Sequence, residues 1–407
     1  MEEGAEDVVI VGAGIAGLAT SLGLHRLGIR SLVLESADTL RAEGYALALW
    51  TNAWKALDAI GVGDLLRQKH EQLDRLVITS LVSGQPIAEL PIEEPNEVRR
   101  INRKVLIETL RDQLPHRTIR YSSKVVQIKE SGLFKSINLA DGTLVKAKVL
   151  IGCDGVNSVV AKYLGFSEAS EAGRASIRGY VECKDGHGLG SSFLQFFGNG
   201  VRYGVSPCDH LGVYWFFTYI PSSDSPGGMR EDPSKMKQFV LSKLGNVAPQ
   251  VKDIFRKTDA KSMIWSQLRY RHPWELLLRG CISKGNVAVA GDALHPMTPE
   301  IGQGGCSALE DAVVLARVLG EALKGRSGSE RGLELELEKY AKQRRWRSIQ
   351  LVSVAYAVGF IQLQQSNWMG IGMLTRDNKI MGRFLAALLL RMSKFDCGCL
   401  VSSLLNE

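Results

Sequence analysis

Three glycines and one glutamate near the N-terminus have the residue types and spacing that bind an anionic dinucleotide. Gly12, Gly14 and Gly17 follow the apolar run 7–11, and Glu35 ends a second apolar run. Such glycines permit a tight turn, let the backbone approach a pyrophosphate and let the next helix pack on the strand. The free N–H groups at the helix N-terminus then face the anion. The alternative interpretation is a glycine-rich turn at an ordinary buried strand–helix junction.

Glu35 distinguishes between dinucleotides. A carboxylate at the end of the second strand accepts hydrogen bonds from the adenosine ribose hydroxyls, whereas it would repel a 2′-phosphate. The residue therefore predicts FAD or NAD, and not NADP, as the dinucleotide held by this unit. The sequence contains no second GxGxxG fingerprint, so a single tightly bound dinucleotide is predicted.

Two further strand ends carry a glycine next to an aspartate. Asp154 and Gly155 follow the apolar run 147–153, and Gly291 and Asp292 end another. Each pair alone is an ordinary strand-to-turn transition, because Asp-Gly is a common turn pair. At the carboxyl end of a parallel strand, however, Asp292 can accept a hydrogen bond from a ribityl hydroxyl of FAD.

A glycine-rich stretch opens the next helix. Pro299 is followed by Gly302, Gly304 and Gly305, and the helix then carries Glu310. The free amides and the positive end of this helix can face N1 and the C2 carbonyl of a flavin, where the reduced ring is negatively charged. Preorganised backbone donors stabilise such charge without reorganising. We therefore predict catalytic roles for Pro299 and the three glycines.

In this order and spacing, the motifs resemble the group A flavoprotein monooxygenases, the family of para-hydroxybenzoate hydroxylase and salicylate hydroxylase. The resemblance extends to about residue 345 and is greatest to the plant monooxygenase 1-type proteins. It implies FAD, with Arg103 near the pyrophosphate and Arg41 near the ring system; a solvated loop arginine is the alternative interpretation of Arg41. The predicted cofactor-binding residues are Gly12, Gly14, Ile15, Ala16, Gly17, Glu35, Ser36, Arg41, Arg103, Val126, Asp154, Gly155, Gly291, Asp292, Gly302, Gly304 and Gly305.

The resemblance also implies a reaction. NADH or NADPH binds transiently and reduces FAD, O2 adds to give a flavin hydroperoxide, and one oxygen atom passes to a small aromatic or otherwise electron-rich substrate. Two alternatives remain: a flavin-dependent epoxidase of a lipid or isoprenoid, and a non-catalytic FAD-binding protein. No side chain is predicted as the base, because His295 before Pro296 favours a structural hydrogen bond over proton transfer.

Two positions depart from the family pattern on the substrate side of the flavin. Cys306 stands where many members carry a small polar residue or asparagine, and Glu300 stands where asparagine is frequent. Neither change removes a backbone donor. Both are expected to adjust the substrate side, so the substrate of a relative does not transfer to this chain.

Composition excludes several other classes. The 407 residues, 45% hydrophobic and 23% charged, fit a globular protein of two domains. No groove-like mixture of basic and aromatic residues predicts nucleic-acid binding, and the seven cysteines lack disulfide or zinc spacing, so no metal site is predicted. The net charge of +7 is spread thinly. Two basic groups stand out, the first expected near the phosphate site and the second on a solvated helix face: Arg99, Arg100, Arg103 and Lys104; Lys342, Arg344, Arg345 and Arg347.

The pattern of elements predicts an α/β fold. Alternating strands and helices at 1–75, 100–174 and 276–345 predict a Rossmann-like FAD-binding domain. Strand-rich segments at 76–99 and 175–275 predict an inserted antiparallel β-sheet substrate domain, whose aromatic residues are either plain sheet core or substrate contacts. Residues 346–407 form the predicted C-terminal helical segment.

The apolar runs of the C-terminal segment, 351–361 and 384–392, are shorter than the ~20 residues that span a bilayer. They predict helices that pack on the body of the protein, with a peripheral membrane contact through the second as the alternative. An acidic N-terminus without a targeting pattern predicts a cytoplasmic location, unless a plastid transit peptide was trimmed. The expected partners are a small-molecule substrate and O2, in a monomer or homodimer.

Overall fold

The computed structural model describes residues 5–40, 45–221, 231–324, 330–363 and 379–400. The strands are β1 Glu6–Val11, β2 Leu32–Leu34, β3 Ala46–Leu49, β4 Arg75–Ser80, β5 Pro86–Pro91, β6 Arg99–Asn102, β7 Ile119–Arg120, β8 Val125–Ser131, β9 Phe134–Leu139, β10 Leu144–Gly152, β11 Ser170–Glu182, β12 Ser192–Gly198, β13 Val201–Pro207, β14 Gly212–Tyr219, β15 Ile264–Tyr270, β16 Ser283–Lys284 and β17 Val287–Val289.

The helices are α1 Ile15–Arg26, α2 Thr51–Ala59, α3 Gly63–Arg67, α4 Arg103–Asp112, α5 Val159–Tyr163, α6 Pro233–Lys243, α7 Pro249–Lys257, α8 Pro273–Leu278, α9 Gly304–Lys324, α10 Glu330–Leu363 and α11 Lys379–Met392. Short 3-10 turns occupy Ala260–Ser262, Gly291–Ala293 and Pro299–Ile301. The predicted α/β fold, with two sheets and C-terminal helices, is confirmed. The domain boundaries given above stay a prediction.

The first sheet brings the three sequence motifs to one edge. Its central strands β17, β10, β1 and β2 are all parallel. Val11 pairs with Gly152, and Gly152 pairs with Val289, so the three strands end at the same level. Because ligands bind at the carboxyl ends of parallel strands, the turns after β1, β10 and β17 share one site. Helix α1 is buried from Ala16 to Leu24 and packs between this sheet and α9.

The second sheet has the order β15-β11-β14-β13-β12-β4-β5. All its pairs are antiparallel except β12 with β4, which run parallel, so the predicted antiparallel sheet has one parallel pair. The parallel pair arises because β4 comes from an earlier part of the chain and is not joined to β12 by a hairpin. Strand β14 alternates: Trp215 and Phe217 face a core with α6 and α7, while Tyr214 and Phe216 face the other side.

A two-stranded ribbon joins the two sheets. Strands β3 and β6 pair antiparallel, with Ala48 opposite Arg100 and Ala46 opposite Asn102. Asn102 caps α4, because its side chain accepts a hydrogen bond from the Lys104 N–H. The ribbon therefore places two arginines three positions apart in the chain, Arg100 within β6 and Arg103 at the start of α4.

The C-terminal helices pack on the body of the protein, as predicted. Helix α11 packs on β5, and Arg347 of α10 donates a 2.7 Å hydrogen bond to the Met392 carbonyl at the end of α11. Helix α10 runs without a break through residues 345 and 346, where the sequence predicted a segment boundary. No helix within the described ranges combines the length and the apolar character needed to cross a bilayer.

The expectation that the second basic group forms a solvated helix face is wrong for two of its members. Arg344 and Arg347 are buried, at 0% and 7% exposure. Arg344 lies 2.7 Å from Glu310 and 2.5 Å from Asp311 of α9, and Arg347 lies 2.8 Å from Glu310. Burial acts to raise the pKa of Glu310, but the two guanidinium groups outweigh it and lower this pKa. These ion pairs hold α9 and α10 together.

Candidate active site

The glycines of the N-terminal motif are required at two positions by close backbone approach. Gly12 has φ of +101°, and a Cβ there would lie 2.5 Å from the Cys153 carbonyl oxygen. A Cβ on Gly17 would lie 2.0 Å from the Gly12 carbonyl oxygen. Gly14 differs, because a Cβ there would meet no atom within 4 Å. It is the N-cap of α1 and provides no side-chain cap, which leaves the first amides of the helix for a ligand.

This difference predicts two distinct outcomes for matched substitutions. Gly17→Ala is expected to destabilise the protein by about 1–3 kcal/mol or more, since the new methyl group overlaps backbone. Gly14→Ala is expected to leave the apoprotein stable but to weaken FAD binding about 5- to 150-fold, because the methyl group enters the cofactor's space. Thermal unfolding of the apoproteins and FAD titration separate the two effects. Equal stability losses in both variants would contradict this assignment.

Glu35 ties the end of β2 to the glycine turn. Its Oε2 accepts a 2.8 Å hydrogen bond from the Ala13 N–H, and its Oε1 accepts one of 2.9 Å from the Ala37 N–H. The side chain is 5% exposed, while Ser36 beside it is exposed and donates its hydroxyl to Oε1. Val126 is half exposed on β8. The predicted cofactor contact at Arg41 lies outside the described residues.

Asp154 binds the start of the helix after β10, next to its N-cap residue Ser158. Its carboxylate accepts hydrogen bonds from the Ser158 hydroxyl and from the Val159 N–H, the latter at 2.7 Å. Burial raises the pKa of this carboxyl. The neighbouring Gly155 has φ of +79°, with open space where a Cβ would stand. The Gly155 backbone therefore borders the cavity described below, and the Asp154 side chain holds the turn in place.

The Gly291–Asp292 turn is fixed by α9. The Gly291 N–H donates a 2.8 Å hydrogen bond to Asp311. The Asp292 side chain is exposed to the cavity, and its partial desolvation by the cavity walls raises the pKa of its carboxyl. Arg103 is close enough to oppose that rise in pKa and borders the same cavity. The turn and the start of α4 thus present a carboxylate and a guanidinium together.

His295 forms buried structural hydrogen bonds, as the sequence predicted. It is fully buried, and its Nε2 lies 2.6 Å from Asp311 and 3.1 Å from the Ser307 hydroxyl. Asp311 also pairs with Arg344. Burial acts to raise the pKa of Asp311, but His295 and Arg344 outweigh it and lower this pKa. The buried network supports the Gly291 turn from behind.

The start of α9 faces the cavity with backbone groups. Gly302 adopts the left-handed conformation, with φ of 62°, and ends the 3-10 turn that begins at Pro299. Gly304 and Gly305 begin the helix, whose first turn carries no acidic residue. The positive end of the helix dipole is therefore open to an anionic or reduced ring. Pro299 and all three glycines border the cavity.

The two departures from the family pattern lie at this turn. Glu300 is buried, and its side chain pairs with Arg174 at 2.9 Å. The Cys306 thiol is fully buried, 3.7 Å from the Ala48 carbonyl oxygen, and burial raises its pKa to about 12. Cys306 is therefore a neutral packing residue, and Glu300 is engaged in an ion pair.

The cavity lies between the edge of the first sheet and the second sheet, with a volume of about 430 Å³. Its first side consists of the predicted residues Gly14, Ile15, Asp292, Gly302 and Gly304. The sequence left the aromatic residues of the second sheet open as either core or substrate contacts, and it named neither Arg178 nor Arg202. The second side of the cavity comes from the second sheet and β6: Arg100, Arg178, Phe193, Arg202, Tyr214 and Phe216. The alternation along β14 and the arginines within apolar strands were the available signals.

The first basic group does not lie together at a phosphate site, contrary to expectation. Arg99 pairs with Glu97 at 2.7 Å and contacts the Trp54 ring. The Arg100 side chain instead packs against the second sheet, over the Phe193 ring. Arg100 and Arg103 both border the cavity, and Arg103 lies beside Asp292. Neighbouring residues of a β-strand point to opposite faces, which separates Arg99 from Arg100.

Arginine and aromatic side chains determine the charge of the second side of the cavity. Arg202 donates to the Gln195 side chain at 3.2 Å and to the Glu300 carbonyl at 3.1 Å, and lies over the Phe216 ring at 4.7 Å. Burial lowers the pKa of Arg202 to about 10, so it remains charged at neutral pH. Burial raises the pKa of the Tyr214 hydroxyl, which is a neutral phenol at the same pH.

Comparison with known proteins agrees with this geometry. Residues 5–355 match the family model described as FAD binding domain. The chain is 50% identical to Monooxygenase 2 of Arabidopsis thaliana, over 98% of this chain and 99% of that protein, and 36% identical to Monooxygenase 1 of the same plant, over 96% and 98%. The crystal structure of Klebsiella pneumoniae HpxO with FAD and uric acid has the same fold, with a TM-score of 0.82, 24% identity and coverage of 95% and 96%.

Proposed function

This chain belongs to the FAD-dependent monooxygenases that share the FAD binding domain, and from that premise we propose that it hydroxylates a small, planar, electron-rich substrate in the cavity between its sheets. One observation carries the proposal. A single cavity is bordered on one side by the flavin-type turns at Gly14 and Gly302 and on the other by the rings of Tyr214 and Phe216. A substrate ring and a flavin ring would therefore meet without a barrier between them.

The residues present fit FAD. The uncapped start of α1, the open space at Gly14, the buried Glu35 carboxylate and the glycine-rich start of α9 suit its pyrophosphate, ribose and ring. We propose that the cofactor-binding residues named from the sequence hold it. When bound and reduced by NADH or NADPH, FAD supplies the oxygen activation.

The protein's own contribution is positioning and charge stabilisation. The amides at Gly304 and Gly305 would stabilise negative charge on the ring, and Asp292 would accept a hydrogen bond from the ribityl chain. The aromatic side chains Phe193, Tyr214 and Phe216 would orient a substrate ring and exclude water from it. No side chain of the described cavity lining is needed as a base.

The cavity favours hydroxylation over epoxidation of a lipid. The buried Arg100 and Arg202 and the half-buried Arg178 border it, and an alkyl chain offers their guanidinium groups no hydrogen-bond acceptor. A planar substrate with oxygen or nitrogen acceptors satisfies them instead. The HpxO structure contains uric acid, which is a planar molecule of this kind.

The test is a metabolite screen scored by substrate-stimulated NAD(P)H oxidation. We expect a compound that accelerates oxidation, requires O2 and gains one oxygen atom from ¹⁸O2, as measured by mass spectrometry. The control is the same mixture made anaerobic, in which steady turnover should stop. Oxidation that continues without O2 and passes electrons to a quinone would contradict the monooxygenase function.

A further inference from the structure

Asn52 is a fully buried residue that joins helix α2 to residues 302–305, which we call the flavin-facing turn. Its Nδ2 donates a 2.8 Å hydrogen bond to Gln303 Oε1 and one of 2.5 Å to Glu310 Oε1. Neighbouring arginines lower the pKa of Glu310, so its carboxylate is ionised and can only accept a hydrogen bond. This requirement fixes the direction of the Asn52 amide, which therefore bridges the turn and the body of α9.

The start of α2 packs closely on the same turn. Trp50 is the N-cap residue of α2 and borders the cavity, and a Cβ on Gly302 would lie 3.2 Å from its Nε1. The Cys306 thiol lies 3.7 Å from the carbonyl oxygen of Ala48, just before α2. Packing therefore already holds α2 against the start of α9, and Asn52 adds a directional polar link to that contact.

Stability alone does not require this polar link. Asn52 Oδ1 and Gln303 Nε2 are buried and have no hydrogen-bond partner among the residues that the structure describes. Unpaired buried amide atoms cost free energy, whereas two apolar side chains of the same shape would pack there without that cost. Glu310 does not depend on Asn52 either, because Arg344 and Arg347 both pair with it. What the amide pair adds is direction, since a hydrogen bond holds the turn in one orientation.

We propose that Asn52 is a positioning residue, which acts through Gln303 to align the amides of Gly304 and Gly305 with the flavin ring. Neither Asn52 nor Gln303 belongs to the described lining of the cavity, so the effect passes through the backbone of the turn. Aligned amides stabilise the negative charge of the reduced ring more than the neutral oxidised ring, and so raise the reduction potential of bound FAD. This inference rests on the proposed function, because it takes the turn to face the flavin.

The test replaces both amides by apolar side chains of similar shape, in the double variant Asn52→Leu with Gln303→Met. We expect the affinity for reduced FAD, relative to that for oxidised FAD, to fall about 3- to 10-fold, which lowers the two-electron reduction potential by about 15–30 mV. The potential is measured on the FAD-loaded enzyme without O2 or substrate, by equilibration with a reference dye. Thermal unfolding of the apoprotein should change little, because both unpaired amide atoms are removed together.

Two single variants and a control in the same helix separate alignment of the turn from loss of stability. Asn52→Leu and Gln303→Met break the same contact, so each alone should lower the potential about as much as the double variant, and their effects should not add. Each single variant leaves one amide without its partner and should unfold at a lower temperature than the double variant. Thr51→Val instead removes the hydroxyl that accepts a 3.0 Å hydrogen bond from the Glu97 N–H. It should lower stability and leave the potential unchanged.

A native reduction potential in the double variant would overturn the proposal. A shift of similar size in Thr51→Val would also overturn it, because any loosening of α2 would then act on the flavin. If the double variant does not fold, Gln303→Met alone decides the question by the same measurement. The measurement involves no oxygenation, so a lowered potential in an enzyme that hydroxylates no compound would leave the role of Asn52 standing and contradict only the proposed function.

Discussion

Replacing Arg344 by methionine is expected to lower the free energy of unfolding by about 3–5 kcal/mol, which is the cost of removing one partner from a buried ion pair. Arg344, Glu310 and Asp311 have fully buried side chains, and the arginine lies within 2.7 Å of both carboxylates. Because Asp311 also accepts the Gly291 N–H, the same change should loosen the turn that presents Asp292. Chemical denaturation of the apoprotein measures the first effect, and FAD titration measures the second.

The pH dependence of stability distinguishes loss of the ion pairs of Arg344 from simple loss of packing. In the native protein the pKa values of Glu310 and Asp311 are lowered, so their stabilising contribution is present at neutral pH and is lost as the pH falls. Without Arg344 each carboxyl loses one cationic neighbour, so we expect its pKa to rise and its protonation to stabilise the folded variant. The stability difference between the variant and the native protein should therefore narrow as the pH falls toward the ordinary pKa range of carboxyl groups.

The matched control is Lys342→Met, which removes one positive charge from an exposed position of the same helix. It should change stability by less than about 0.5 kcal/mol. If Arg344→Met were as mild as Lys342→Met, or if its effect did not depend on pH, the buried ion pairs would not be what holds α9 to α10.

Glu35→Ala is expected to weaken FAD binding about 10- to 150-fold, corresponding to about 1.5–3 kcal/mol for lost charge-assisted hydrogen bonds. The structure gives a second reason to expect weaker FAD binding, besides the ribose contact predicted from the sequence. The carboxylate also accepts the Ala13 N–H within the glycine turn, so its loss affects the ribose and pyrophosphate sites together. Reconstitution of the apoprotein with FAD, followed by flavin fluorescence, measures the affinity.

Glu35→Gln is the informative control, because it keeps an acceptor for Ala13 but removes the negative charge. We expect an affinity between those of the native protein and Glu35→Ala. Ser36→Ala, beside it on the exposed side, should have a smaller effect than either. Full flavin occupancy of Glu35→Ala at low micromolar protein would show that the ribose site lies elsewhere.

The cofactor side of the cavity was predictable because it depends on backbone geometry. Gly12 and Gly17 are required by contacts under 3 Å that any Cβ would make, and such requirements appear directly as glycines in the sequence. The strands before Gly12, Asp154 and Gly291 are short apolar runs, and parallel pairing then brings their ends together. The spacing of these residues, together with the rule that ligands bind at the carboxyl ends of parallel strands, was sufficient to predict this side of the cavity.

The substrate side was not predictable in the same way. Arg100 was placed by sequence proximity beside Arg103, but the alternation of β6 turns its side chain into the second sheet, against Phe193 and Tyr214. These two rings come from β12 and β14, more than ninety positions further along the chain. The strand order of the second sheet brings Phe193 and Tyr214 together, and the packing of β6 against that sheet adds Arg100. No local pattern encodes either arrangement.

The buried ion pairs of Arg344 could not be predicted from the sequence for the same reason. A helix with Lys342, Arg344, Arg345 and Arg347 has the composition of a solvated face, and only the packing of α9 against α10 provides Glu310 and Asp311 as buried partners. The sequence by itself determined the α/β fold, the dinucleotide turn and the glycines that face the cofactor, because each depends on local backbone conformation. Tertiary structure alone decided which arginines are buried and which are paired, because burial and pairing are set by residues distant in the chain.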